Sequence, residues 1–136
     1  MRFELREHTA DVAVDARADT LSAVFAAVAD GLAAASCDDV QPGGERFDVA
    51  VSAEGREALL FDYLDELIFQ RDVREVLPVD NEAAVSTEGD RWHCAASARG
   101  VPLESVDARE VKAVTYSEME LAEDADGWHA YVVFDV

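Results

Sequence analysis

The sequence contains almost no lysine, few cysteines and no long apolar run. Lys112 is the only lysine, and 11 basic against 30 acidic side chains give a formal net charge of −19. Because phosphates are bound by clustered Lys and Arg, this balance argues against direct binding of RNA or DNA. No apolar run approaches the roughly 18 residues that a membrane-spanning helix needs. The first residues also lack the apolar block of a signal peptide.

The two cysteines, Cys37 and Cys94, lie far apart and form no CxxC pair. They therefore predict neither a disulfide framework nor a thiolate metal site, and a reduced, cytoplasmic protein is expected. The excess of acid with so little lysine suggests a protein adapted to concentrated salt, where the screening length falls to roughly 3 Å at about 1 M. No phosphate-binding glycine loop and no GxSxG nucleophile motif is present.

Hydrophobic periodicity predicts one α+β domain over residues 1–136. Two amphipathic helices are expected at 21–36 and 57–71. Strands are expected at 2–6, 11–17, 47–51, 73–79, 83–87, 92–98, 111–121 and 128–136. Because helices and strands do not alternate regularly, the sheet should be mainly antiparallel, with both helices packed on it. The stretch 83–106 is a candidate for a small insertion within the domain.

Two aspartates stand at the ends of apolar strands. Asp11 opens the second predicted strand, and Asp135 lies in the last one, directly before Val136. Carboxylates in apolar surroundings are costly without a partner. If the first strands pair beside the last, Asp11, Asp135 and the chain end meet, and their oxygens would suit Ca²⁺ or Mg²⁺. The alternative, which spacing alone favours, is two ordinary exposed strand-end residues.

The other polar residues carry weaker signals. Lys112 would hold an anion or a carboxylate if it is functional, and it is equally consistent with a surface charge. His8 lies in a polar turn, and the three histidines show no metal-ligand spacing. The acidic side of the second helix is interpreted as a solvated face. Its members are Asp62, Asp65, Glu66 and Asp72.

Four segments in register resemble the archease family. They are His8–Val12, Leu59–Leu60 with Tyr63–Phe69, Val111–Tyr116 and Val133–Val136. The resemblance extends over the whole chain in the right order. Two positions depart from it, because the family commonly has Gly where Ala13 stands and His where Ser117 stands.

The resemblance implies a non-catalytic protein cofactor of the GTP-dependent RNA ligase that joins exons in tRNA splicing. Archeases promote guanylylation of the ligase's active-site histidine and multiple turnover, so tRNA would be met only through the ligase. Their metal site, usually described with calcium, corresponds here to Asp11, Asp135 and Val136. Asp11, Asp135, Lys112 and His8 are the residues expected to act in ligase activation. Two alternatives are a metal-dependent hydrolase built on Asp11, Asp135 and His8, and a chaperone-like module with several clients.

Overall fold

A computed structural model describes residues 2–7, 11–37, 39–106 and 108–136. These residues form seven strands, two α-helices and a short 3-10 helix at Leu103–Ser105. In chain order the main elements are β1 (Arg2–Glu7), β2 (Asp11–Ala18), α1 (Leu21–Ser36), β3 (Glu45–Ala53), α2 (Arg56–Arg74), β4 (Val76–Glu88), β5 (Arg91–Pro102), β6 (Ala113–Asp124) and β7 (Gly127–Asp135). The α+β prediction is confirmed.

The strands form two antiparallel sheets, whereas the sequence suggested one main sheet. The first sheet has the order β1-β2-β7-β6 and the second has the order β3-β5-β4. Each helix packs against both sheets, since α1 contacts β2 and β4 while α2 contacts β3 and β6. The last strand lies directly beside β2, so the condition for Asp11 and Asp135 to meet is fulfilled.

Helix α1 is held tightly against β2. It begins after Thr20, whose side-chain oxygen accepts a hydrogen bond from the Ala23 amide at 3.0 Å, as expected of an N-cap. A Cβ atom at Gly31 would lie 2.5 Å from Cγ1 of Val14, so this close approach requires glycine. The helix is buried on nearly all sides, which explains its high content of small apolar residues.

Helix α2 is amphipathic, with one buried stripe. Leu60, Leu64 and Leu67 are almost fully buried, at the spacing that the sequence predicted. Tyr63 lies on the same side, and its ring stacks on Phe25 of α1 at 5.9 Å between ring centroids. The buried stripe therefore joins the two helices within one core.

Helix α2 is longer than the sequence predicted. It continues to Arg74 and ends at Glu75, which adopts a left-handed conformation with φ 56°. The expectation that Val73 begins a strand over 73–79 is wrong. The buried face ends at Arg71, whose guanidinium is held by the Val111 carbonyl, and the exposed residues 72–74 complete the last helical turn, which overrides the strand preference of Val73.

Strand β4 joins two segments that the sequence separated. The predicted strands 73–79 and 83–87 belong to one strand, apart from the helical start of the first. Its register shifts between Val79 and Glu82, where Asp80 has φ 48°. Such a bulge keeps a strand paired while changing its direction.

The candidate insertion at 83–106 overlaps β4 and β5. Strand β5 is the central strand of the second sheet and pairs with both β3 and β4. The stretch is therefore integral to the fold, while its origin as an insertion stays a prediction. Within the described ranges, neither helix is both long and apolar enough to span a bilayer.

Candidate functional site

The first residue of β2 and the last residue of β7 are direct cross-strand partners. Asp11 and Asp135 are aligned in the antiparallel ladder, although they come from opposite ends of the sequence. Directly opposed residues point to the same face of a sheet, with Cβ atoms about 4.5–5.5 Å apart. The structure therefore brings together the two carboxylates that the sequence singled out.

The surroundings of this pair are partly apolar. Asp11 is half-buried and its Oδ1 atom is inaccessible to solvent, whereas Asp135 is exposed. The next pair on the same face is Ala13 and Val133, which are 0% and 3% exposed. Buried apolar neighbours raise the desolvation cost of a charged carboxylate. Two like charges directly opposite each other also destabilise a sheet. A positively charged group between the carboxylates would offset both effects.

Lys112 lies at the same end of the sheet. Its amide donates a hydrogen bond to the Asp135 carbonyl at 2.8 Å, and its side chain is exposed. It stands one residue before β6, where the sequence placed it at the start of a strand. Ala113, the first residue of β6, is the second cross-strand neighbour of Asp135. The backbone of Lys112 is thereby fixed beside the carboxylates.

Sequence reasoning missed Arg71, which helps to position this segment. The residue is 8% exposed, and its guanidinium donates from Nη1 to the Val111 carbonyl at 2.6 Å. The same guanidinium donates from Nε and Nη2 to Oδ1 of Asp72, at 3.1 and 3.0 Å. The signal was present, because Arg71 continues the helical spacing of Leu64 and Leu67 onto the buried face.

The remaining predicted residues are placed as follows. Val136 follows Asp135 and its half-buried side chain packs against the main core. His8 lies outside the described residues. Ser117, at the position where the family commonly has His, is exposed on β6. We call Asp11, Asp135, Lys112 and Val136 the carboxylate corner.

The donors at the carboxylate corner are oxygens. Among the described residues, no three His, Cys, Asp or Glu side chains are grouped so as to hold a metal ion. A cation at this corner would be held by the two aspartates and the main-chain carbonyl of Val136. Carboxylate and main-chain oxygens suit hard divalent cations such as Ca²⁺ and Mg²⁺, so the residues fit such an ion.

The opposite end of the same strands is organised differently. Nε2 of His129 lies 2.5 Å from Oδ1 of Asp15, and both side chains are largely buried. On the other face of the sheet, the Arg56 guanidinium lies over the rings of Trp128 and Trp92, at 5.1 and 6.0 Å from their centroids. We call these five residues the tryptophan end. It joins α2 to one strand from each sheet, which is a structural role.

A serine and a histidine also meet on the second sheet. Oγ of Ser52 lies 2.7 Å from Nδ1 of His93, while Glu88 lies 4.0 Å from Nε2. The longer distance exceeds hydrogen-bond range, so the carboxylate does not orient the ring as a nucleophile's base requires. This arrangement gives no support to a stand-alone hydrolase.

Comparison with known proteins is consistent across sequence and structure. The model of the Archease protein family matches residues 3–136. Protein archease of Thermococcus gammatolerans is 35% identical, covering 99% of both chains, and that of Methanosarcina acetivorans is 34% identical, covering 99% of this chain and 96% of the relative. The solution structure of protein 1598 of Methanobacterium thermoautotrophicum matches with a TM-score of 0.86 at 29% identity, over 98% of each chain. An archease from Thermotoga maritima, described as a possible chaperone, shares the fold at 21% identity and a TM-score of 0.63, over 98% of this chain and 96% of that one. The chain belongs to the Archease family.

Proposed function

We propose that this chain is a protein cofactor of the GTP-dependent RNA ligase that acts in tRNA splicing. It docks on the ligase through the carboxylate corner, promotes guanylylation of the ligase's active-site histidine and supports multiple turnover. The observation that carries the proposal is the direct pairing of Asp11 with Asp135 in a chain of the Archease family. The net charge of −19 also suits contact with a protein partner better than contact with RNA.

The residues of the corner act by position and charge. Asp11 and Asp135 are held by the β2–β7 pairing, so their carboxylates need little reorganisation when they bind a cation. Together with the main-chain carbonyl of Val136, they would hold a divalent cation, for which we propose calcium. When bound, such a cation would supply positive charge for the nucleotide phosphates.

Lys112 adds a second positive charge at the same place. Its backbone is fixed by the hydrogen bond to Asp135, while its exposed side chain is able to extend towards the ligase. An ammonium group on a flexible stem suits a phosphate oxygen. In this mechanism the ligase performs the chemistry, and the chain described here organises charge around the nucleotide.

The proposal is tested by measuring guanylylation of the matching purified ligase with GTP, with and without this protein. Wild-type protein should raise the rate, and Asp11→Asn should return it to the rate of the ligase alone. Asp48→Asn, on the exposed face of β3, removes one carboxylate in the same way and should stimulate like wild type. Equal stimulation by Asp11→Asn and wild type would reject the role of the corner.

A chaperone-like role with several clients is the second candidate, favoured by the similarity to the Thermotoga maritima archease, which is described as a possible chaperone. It predicts that the protein suppresses aggregation of unrelated proteins during thermal unfolding. Such suppression, without any effect on guanylylation, would favour this role over the proposed one.

A further inference from the structure

Helix α2 exposes a row of large side chains that the fold does not bury. Phe61, Asp65, Phe69 and Val73 follow one another at spacings of four residues, so they form one ridge along the helix. Phe69 is 57% exposed and Val73 is 62% exposed, the highest values among the large apolar residues described. The ring of Tyr116, itself 51% exposed, lies 5.3 Å from that of Phe61. We call these five residues the α2 ridge.

The α2 ridge is bordered by negative charge. At 3.6 residues per turn, Asp62 and Asp72 fall within the same third of the helix circumference as Asp65, Phe69 and Val73. All three aspartates are exposed. The sequence alone indicated a solvated acidic face. Solvation of the carboxylates does not explain why a phenylalanine and a valine are exposed between them. Exposed apolar side chains framed by charges are typical of an interaction surface.

The α2 ridge and the carboxylate corner are linked through the interior of the protein. Arg71, on the last turns of α2, donates to the Val111 carbonyl, and the next residue, Lys112, donates to the Asp135 carbonyl. Arg71 lies on the buried side of α2, away from the exposed ridge, so this link fixes the position of the helix relative to the corner.

We propose that the α2 ridge binds an amphipathic helix of the RNA ligase, one with an apolar row flanked by Lys or Arg. This inference rests on the proposed function, since it takes the ligase as the partner. From Phe61 to Val73 the ridge extends about 18 Å along the helix, the length of a few helical turns. Apolar contact would cover Phe69 and Val73, while basic side chains would meet Asp62 and Asp65.

Charge disfavours the other occupants. Phosphates of RNA would face the aspartates of the ridge within a chain of net charge −19. A second copy of the chain would bring the same aspartates opposite one another across a symmetric contact, with equal net charge on each side.

The test measures the affinity of the purified ligase for the protein by titration calorimetry, together with the stimulated guanylylation rate. The double variant Phe69→Ala/Val73→Ala should weaken binding by about tenfold or more, because both side chains would become buried anchors. At saturating concentration it should still stimulate guanylylation like wild type, since the corner is intact. Val40→Ala removes an exposed apolar side chain elsewhere and should bind like wild type.

Charge is tested separately by Asp65→Lys, with Asp48→Lys as its matched control. The first should weaken ligase binding and the second should not. If wild type stimulates the ligase and both ridge variants bind with wild-type affinity, the inference about the ridge is wrong while the proposed function stands. If wild type neither binds nor stimulates the ligase, both proposals fail.

Discussion

Strand β2 carries two aspartates, one at its first residue and one near its middle, and their surroundings differ. Asp15, at the tryptophan end, faces a histidine at 2.5 Å. Asp11, at the carboxylate corner, faces a second carboxylate residue across the ladder. Both side chains are half-buried on the same face of the same sheet. Under the proposed function, Asp15 contributes mainly to stability, whereas Asp11 acts in ligase activation.

The largest expected difference between Asp11 and Asp15 is in their contribution to the binding of divalent cations. Asp11→Asn should lower the affinity for Ca²⁺ by about tenfold or more, because it removes a charged oxygen ligand from the corner. Asp15→Asn should leave that affinity unchanged. Titration calorimetry of the two variants with Ca²⁺ measures both values, and equal losses in both would break the distinction between the two ends.

The reverse effect is expected for stability. Asp15→Asn should lower the free energy of unfolding by about 1–3 kcal/mol, since a charged hydrogen bond to a largely buried histidine is lost. Urea denaturation monitored by circular dichroism gives the value. Asp11→Asn is the matched control and should cost less, because Asp11 is the first residue of β2 and the residue opposite it, Asp135, is exposed. A larger loss for Asp11→Asn would contradict the assignment of roles.

Whether the sequence could predict a feature at either end of these strands depends on the kind of contact that forms it. The pairing of Asp11 with Asp135 could be inferred because strand alternation sets the face, and apolar strands at both ends of the chain favour mutual pairing. The two-sheet arrangement could not be inferred, since strand order depends on which of the competing long-range strand pairings is most stable. The contact of Arg56 with Trp92 and Trp128 joins three elements distant in sequence, and no local pattern encodes it.

The α2 ridge is a second feature that the sequence did not predict. The acidic residues of the helix were apparent in the sequence, where Phe69 stands directly after Leu67 and Ile68. Only the packing of the helix distinguishes them, since Leu67 and Ile68 are buried whereas Phe69 is not. The role of His8 stays a prediction, because the residue lies outside the described part of the chain.

A smaller loss of stability is expected from Arg56. Arg56→Ala should lower the free energy of unfolding by about 0.5–2 kcal/mol, as expected for cation–π contacts at a partly desolvated site. Its effect on tryptophan fluorescence would report the change at both rings directly. Ligase stimulation should be unaffected, because the variant lies at the opposite end from the corner. Reduced stimulation by a folded Arg56→Ala protein would extend the functional surface to this end.

The smallest expected effect on stability at neutral pH comes from the buried thiol of Cys94. Burial raises the pKa of the Cys94 thiol to about 12, from a usual value of 9.0, and burial also raises the pKa of Tyr63. The unfolded thiol therefore ionises first, so the free energy of unfolding should fall as pH rises above about 9. Urea denaturation between pH 7 and 11 measures this slope. Cys94→Ala should make it shallower, and an unchanged slope would contradict the contribution of the thiol.

The most direct test of the central claim compares Asp135→Asn with Asp15→Asn in one ligase guanylylation assay, after both proteins are confirmed as folded. Asp135 belongs to the carboxylate corner and Asp15 to the tryptophan end, and each substitution removes a single negative charge from the same face of the sheet. We predict that Asp135→Asn leaves the ligase at its unstimulated rate, while Asp15→Asn stimulates it as wild type does. Full stimulation by Asp135→Asn, with loss of stimulation by Asp15→Asn, would contradict the claim.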